Sequence, residues 1–479
     1  MTDAGEQVDV IVVGYGVAGA AAALTAADAG ARVLVLEATA AGGGNCRHSG
    51  GFLFDVPGDR LVEHLDALCF GRTPRAVLEA YATGIQALAA WLDGIGVPTD
   101  VFDPPPGRVP ASFPAWPSFP AGHDIRYRVA AGGDGSRGEA LWRGIAGAVA
   151  ARDVEVRCET RVRRLLTDAA GSVTGVVCEG EQRILAAGGV VLACGGFEAE
   201  PELADAYLQL GPAWAVGHQA NRGDGLVMAQ AVGAALWHMY AFFGWFAFRA
   251  PGHTAPFALD LFAPGFLYVD ADGRRFCDET GHEVHDRLRA LTTYLPHRPN
   301  RPRLPAWIVF DEATREAGAL NGMLGTPNDY AWSADNSAEV ERGWIARSDT
   351  PAALATVTGL PEDTLTATLA AYAEATRSGR DELFHRDPET LVALRAPLYA
   401  IKVWPGVAGT VGGPRHDATA RVLRRGGAAI DGLFAAGAVS LVWGHLIEFG
   451  GGLTDALVFG RTAGAGAAAR ARAATAAVS

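Results

Sequence analysis

The 479-residue chain is 49% apolar and 19% charged, the balance of a globular protein long enough for two domains and a sizeable core. Its net charge of −13 argues against a nucleic acid or an anionic membrane surface as partner, because both favour basic patches. With no apolar run of ~18 residues, no signal-peptide pattern, and six cysteines that show neither C-x-x-C nor metal spacing, a soluble, reduced, cytoplasmic protein without a metal is expected.

An apolar strand from Asp9 runs straight into Gly14-Tyr15-Gly16-Val17-Ala18-Gly19. An Ala-rich helix follows, and the next apolar stretch, Arg32–Leu36, ends at Glu37 and Ala38. Strand, glycine turn, helix, strand and acid in this order predict a dinucleotide pocket. Gly14 permits the tight turn, Gly16 the approach of a pyrophosphate, and Gly19 close packing of helix on strand. The helix start at Val17 and Ala18 offers free N–H groups and a partial positive charge, while Glu37 can accept from a ribose hydroxyl. A second glycine-rich stretch, holding Gly43, Gly44, Asn45, Cys46, His48, Ser49, Gly50 and Gly51, can run along the rest of a long cofactor.

Helical patterns follow over Leu61–Phe70 and Pro74–Gly96. Asp103–Gly122, with Pro, Phe and Trp interleaved, reads as an irregular segment, either a lid or a surface loop packed by its own aromatics. Gly132–Gly138 repeats the G-x-G-x-x-G spacing before a helix (Glu139–Ala151) and a strand (Val154–Glu159). The preceding Arg126–Ala131 is short and half polar, a poor central parallel strand, which argues against a second nucleotide site. Tyr240–Phe248 is dense in aromatics and is either buried core or the wall of an apolar substrate pocket. Ala306–Phe310 reads as a strand and Thr364–Ser378 as a helix. Lys402, the only lysine, reads as a surface cation. Near the end come a strand-like Gly432–Gly437 and the turn Gly450-Gly451-Gly452-Leu453-Thr454, which opens a helix at about Thr454.

Together with Gly189–Gly196, which contains Cys194, Gly195 and Gly196, and with Arg222–Gly225, Gly273–Glu279 and Leu453–Arg461, these features resemble one FAD-dependent family. It contains the flavoproteins of fumarate reductase and succinate dehydrogenase, the ketosteroid dehydrogenases and the tricarballylate dehydrogenases. The resemblance implies FAD as cofactor and an α/β fold. A Rossmann-like FAD-binding domain would be split between residues 1–225 and 400–479, with an inserted α+β substrate (capping) domain over 226–399. It also implies cofactor contacts at Val162, near the adenine, and at Gly437 and Ala438. The family often has Glu or Asn at the place of Ala438, so one cofactor hydrogen bond is lost or supplied from elsewhere. His48 lies in the loop that carries a flavin-tethering histidine in membrane-bound relatives, but its spacing to Gly50-Gly51 is shorter, so contact without a covalent bond is expected.

A flavin ring takes up hydride at N5 and leaves negative charge near N1 and O2. Backbone N–H groups of Gly451, Gly452 and Leu453, with Thr454 as cap, can neutralise that edge or hold a substrate enolate. Fumarate reductases grip two carboxylates with a histidine and two arginines. The corresponding places here hold Gly409, Glu283 and Ile447 or Glu448, which disfavours a dicarboxylate substrate. Ketosteroid dehydrogenases place a tyrosine after Gly-His, where this chain has Leu446. Glu448 and His445 are the candidate proton carriers, followed by Tyr240, His282, His285, Tyr268 and Tyr127.

The expected activity is dehydrogenation or reduction of a carbonyl-activated C–C bond in a mostly apolar small molecule. Electrons would go to, or come from, an external quinone, carrier protein or oxygen. Two alternatives stay open: a flavin monooxygenase, loosely suggested by Gly223-Asp224-Gly225, and a flavin-binding protein without turnover.

Overall fold

The structure is a computed structural model and describes residues 6–478 apart from 56–59, 104–115, 132–135, 282, 284, 294–302, 322–327 and 329. The first strand, Glu6–Val13, carries Val10, Ile11 and Val12, all buried to 0% exposure. Such a continuous apolar run suits a parallel strand covered on both faces. It pairs in parallel with Val33–Leu36 on one side, in the register Val10↔Val33 to Val13↔Leu36, and with Arg183–Leu192 on the other. The eight-stranded sheet runs Arg421–Leu423, Ala429–Ala435, Arg183–Leu192, Glu6–Val13, Val33–Leu36, Glu155–Arg157, and the hairpin Val162–Thr167/Val173–Cys178 joins Arg183–Leu192. Both ends of the chain thus meet in one sheet.

The Ala-rich helix Val17–Asp28 crosses between the first two parallel strands and packs on the C-terminal helix, Gly451–Val478. Small residues set that distance: a Cβ at Gly460 would lie 2.4 Å from the Ala18 carbonyl oxygen, and one at Gly464 2.2 Å from that of Ala22. The expected helix over Pro74–Gly96 is two, Arg75–Gln86 and Leu88–Gly94. The strand Arg126–Ala130 lies in a separate three-stranded antiparallel sheet with Leu53–Asp55 and Thr99–Val101. It is therefore not the first strand of a βαβ unit. The following helix, Arg137–Ala150, is capped by Ser136, whose hydroxyl accepts from the Glu139 amide at 3.2 Å. Gly132–Gly135 and most of the expected lid segment lie outside the described residues.

A second, seven-stranded sheet has Phe257–Leu259, Phe242–Phe248, Leu398–Thr410, Ala306–Asp311 and Phe266–Val269 in order, with Trp214–Ala215 and Ala346–Ser348 also on the long strand. Residue 400, where the return to the first domain was expected, falls inside Leu398–Thr410. That strand pairs antiparallel with Phe242–Phe248 and Ala306–Asp311 and runs on through Pro405-Gly406, which stay paired with Phe246 and Trp245. Lys402 is exposed, with Nζ 5.1 Å from the Trp307 ring, a surface cation resting on an aromatic face.

Candidate active site

The two sheets and the C-terminal helix enclose a cleft of about 1610 Å³ of atom-free space including its mouth. Its lining runs continuously from the first glycine turn to the start of the C-terminal helix, which suits an extended ligand. One end is built at the first glycine turn. Gly14 has φ +102°, and a Cβ there would sit 2.5 Å from the Ala193 carbonyl oxygen, so the fold itself requires glycine. Gly16 is different: the nearest protein atom to an added Cβ is 3.9 Å away, and its φ of −90° suits any residue. Nothing in the protein demands a glycine there, whereas a phosphate lying against the backbone would. The amides of Val17, Ala18 and Gly19 have no protein acceptor among the described residues and no acid stands in the first turn. An anion is favoured at such a start. Glu37 accepts from the Tyr15 amide at 2.8 Å and from the Thr39 amide and hydroxyl at 2.8 and 2.7 Å, which fixes its carboxylate at the cleft.

The expected cofactor residues Gly14, Gly16, Val17, Ala18, Glu37, Ala38, Gly43, Gly44, Asn45, Cys46, His48, Ser49, Gly50, Gly51, Val162, Cys194, Gly195, Gly437, Ala438, Gly452 and Leu453 all line this one cleft. Gly19, Gly196, Gly451 and Thr454 do not. Gly19 faces the Gly14 carbonyl, Gly196 the Thr410 hydroxyl, and Gly451 the Trp443 ring. The long helix starts at Gly451, three residues earlier than expected, so Thr454 is inside it and not its cap. Its hydroxyl donates to the Gly450 carbonyl at 3.0 Å and accepts from the Phe54 amide at 3.1 Å. Asn45 is a brace, donating to Glu198 and to the Ala408 carbonyl and accepting from the His218 amide. Burial pushes the Cys46 and Cys194 thiols up to about 12 and holds His48 below its ordinary range, which keeps all three neutral. Asp224 of the Gly-Asp element is paired with Arg161 at 2.7 Å, at the end of the cleft near Val162.

At the far end, Gly452 and Leu453 present amides with no protein acceptor among the described residues, at the start of a 28-residue helix. Around them stand Phe243, Trp245, Ile447 and Phe449, and no Lys or Arg among the described residues lines this part. A Cβ at Gly409, the place of the fumarate reductase histidine, would fall 2.5 Å from Phe243 Cζ, so an aromatic ring occupies that space.

Glu448 is 1% exposed and at the cleft wall. Oε1 accepts from the Tyr127 hydroxyl at 2.7 Å and the Phe449 amide at 3.0 Å, while Oε2 is 3.1 Å from His64 Nε2. His64 Nδ1 donates to the Pro120 carbonyl at 2.8 Å. A carbonyl only accepts, so the proton on Nδ1 is fixed, and one further proton is shared between His64 Nε2 and Glu448 Oε2. His445 and Tyr240 are elsewhere. Tyr240 donates to the Gly444 carbonyl at 2.8 Å and meets His445 Nδ1 at 3.0 Å, outside the cleft. His445 stacks on the half-exposed Phe70, and burial with nearby Arg289 and Arg72 lowers it to about 4. The two therefore stand together outside this cleft, Tyr240 beside a second, smaller hollow. His282 lies outside the described residues. Tyr268 is buried in the capping core, where it accepts from Arg287 Nη1 at 3.1 Å. His64 was missed, although it stands on the buried stripe Leu61–Leu65–Leu68 of its helix, where a polar residue is itself a signal.

The FAD binding domain family matches residues 9–454. A 3-oxosteroid 1-dehydrogenase of Mycobacterium tuberculosis is 35% identical over 303 residues, 58% of this chain and 52% of that protein, so the match spans about half the relative's length. The 3-oxosteroid 1-dehydrogenase of Mycolicibacterium smegmatis is 29% identical over 95% of this chain and 96% of its own. Among solved structures, the 3-ketosteroid Δ1-dehydrogenase of Sterolibacterium denitrificans, in complex with 1,4-androstadiene-3,17-dione, has the same fold. Its TM-score is 0.82 at 23% identity, covering 97% of this chain and 100% of the other. A glycine turn with room for a phosphate, an acid behind it and a second free helix start at the far end of the same cleft agree with this match, and the chain belongs to the FAD binding domain family, with FAD as its cofactor.

Proposed function

We propose that the chain is an oxidoreductase that removes or adds hydrogen across a C–C bond beside a carbonyl, in a mostly apolar small molecule such as the 3-oxosteroids for which its relatives are named. The observation that carries this reading is the far end of the cleft. Free amides, a buried acid and aromatic walls meet there, and among the described residues no Lys or Arg stands by to hold a carboxylate. When bound, FAD supplies the hydride acceptor or donor. Gly14, Gly16, Val17, Ala18 and Glu37 would hold its pyrophosphate and ribose, and the Gly43–Gly51 loop and Gly437–Ala438 would follow the rest.

The amides of Gly452 and Leu453 donate to a carbonyl oxygen as it gains negative charge, helped by the partial charge of the helix start. Glu448 is the acid/base residue at that oxygen, its proton shared with His64 and its orientation held by Tyr127. Phe243, Trp245 and Phe449 exclude water and take an apolar ring system. Electrons pass to or from an external partner, a quinone, carrier protein or oxygen. Among the described residues no helix is long and apolar enough to cross a membrane, and six free thiols support a reduced, cytoplasmic setting. Asp224, paired to Arg161 at the nucleotide end, gives no support to the hydroxylase alternative.

The test is anaerobic titration of the holoenzyme with cyclic ketones, enones and dicarboxylic acids, watching the visible flavin band. Bleaching by ketones and not by succinate is expected. Bleaching by succinate alone, or by no compound in the panel, would count against the reading.

A further inference from the structure

The capping sheet brings a second group of titratable side chains to the same end of the cleft. His285 lines the wall, its ring centroid 5.2 Å from that of Phe449, 5.9 Å from Phe243 and 4.3 Å from Trp245. Phe243 in turn is within 3.6 Å of the position a Cβ on Gly452 would take, so the imidazole stands one ring away from the free amides. Its Nδ1 is 2.5 Å from Glu283 Oε1, and its own amide donates to Glu283 Oε2 at 2.7 Å. Glu283 is 2% exposed. With the Glu283 carboxylate as acceptor, this contact orients the ring through an Nδ1–H donor and turns Nε2 away from Glu283. Nε2 has no protein partner among the described residues.

The surroundings hold the ring in place. The indole edge of Trp245 is pinned by its Nε1–H donating to Asp260 at 2.9 Å, and the buried Arg287, bonded to the Tyr268 hydroxyl at 3.1 Å, adds a fixed positive charge to the two carboxylates. An imidazole at the wall of an apolar cleft, with a carboxylate behind its Nδ1 and no protein partner among the described residues on Nε2, is the arrangement of a positioned general base.

We propose that His285, oriented by the positioning residue Glu283, is the base that exchanges a proton with the carbon next to the substrate carbonyl. This rests on the reading given under Proposed function. The C–H bond breaks, its electron pair passes into the enolate, the proton goes to Nε2, and the oxygen's charge is held by the Gly452 and Leu453 amides. The step is redox-neutral and runs in reverse by return of the same proton, so it can be observed apart from hydrogen transfer.

The experiment uses holoenzyme whose FAD has been reduced beforehand, mixed with a saturated cyclic 3-oxo compound in D₂O, with loss of the α-proton signal followed by NMR. The wild-type protein exchanges faster than buffer. H285Q, with ligand binding retained as a shift of the oxidised flavin spectrum, loses about 100-fold or more of the exchange rate. Exchange by ligand-binding H285Q at the wild-type rate would overturn the assignment while leaving flavin bleaching by ketones, and so the wider reading, intact. A wild-type protein that neither exchanges nor bleaches would overturn both. Should H285Q fail to hold FAD, the wild-type protein decides: an α-bromo cyclic ketone, losing bromide as a C–N bond forms, alkylates His285. Peptide mapping that finds the label on another side chain, or no label on His285, would refute the proposal.

Discussion

Replacement of Glu448 separates its structural role from its chemical one. Three buried groups converge on this carboxylate: the Tyr127 hydroxyl, the Phe449 amide and His64 Nε2. In E448A all three lose their partner, each at about 1–3 kcal/mol, partly offset because a buried carboxylate is no longer desolvated. A net loss of about 3–5 kcal/mol is expected, since neighbouring terms do not add fully. E448Q keeps every contact: the amide oxygen accepts from Tyr127 and Phe449, and the NH₂ donates to His64 Nε2, whose lone pair is free because Nδ1 carries the ring proton. Its stability should fall by no more than about 1 kcal/mol, while the rate of anaerobic flavin reduction by a ketone falls by at least ~100-fold. Thermal unfolding followed by flavin release, beside stopped-flow reduction, measures both. If E448Q unfolds as early as E448A, the hydrogen-bond geometry is wrong; if it reduces flavin at the wild-type rate, the proton role is wrong.

Gly16→Ala should leave the apo fold within about 1 kcal/mol of wild type but lower FAD loading, because the nearest described protein atom to its Cβ is 3.9 Å away, whereas Gly14→Ala, at φ +102°, should fail to fold stably. Equal FAD affinity in G16A would contradict a phosphate at that turn. Burial raises Asp260 to about 6 from an ordinary ~3.9, so the folded state binds the proton more tightly than the unfolded chain. The stabilisation that follows is complete below about pH 4 and is lost as pH rises through about 6. D260N keeps an acceptor for Trp245 and should gain stability over wild type on going from about pH 4 to about pH 8; a difference that stays constant over that range would refute the burial argument. Alkylation of native holoprotein at about pH 8 should mark the exposed Cys158 first and spare Cys46 and Cys194, whose thiols burial holds at about 12. Peptide mass spectrometry reads the order, and early labelling of Cys46 would show that the glycine-rich loop opens.

The nucleotide end was legible because backbone geometry dictates residue type there. Gly14 needs its positive φ, Gly16 needs empty space, and the apolar runs on either side can only be buried parallel strands. The catalytic end was legible only where it adjoins such a turn. Glu448 was found by its nearness to Gly450, yet His445, three residues before it, faces outward onto Phe70, a difference of side-chain direction that spacing does not encode. Thr454 misled for a similar reason: a threonine after glycines looks like a cap, but the helix begins at the glycines themselves. His64 and Tyr127 reach Glu448 across more than 300 residues, a pairing that only the closed fold reveals. His285 and Glu283 lie just beyond Gly273–Glu279 and their contact is local, two residues apart, but only the closed fold brings Trp245 of Phe242–Phe248 against the imidazole at the cleft wall.

The most direct test of the account is a crystal structure of the FAD-loaded enzyme with a cyclic 3-oxo ligand. It should place the ligand's carbonyl oxygen within hydrogen-bonding distance of the Gly452 or Leu453 amide, with Glu448 beside it and the ring system between Phe243, Trp245 and Phe449. A ligand seated instead against Tyr240 and His445, or held through its carbonyl by an arginine, would contradict it.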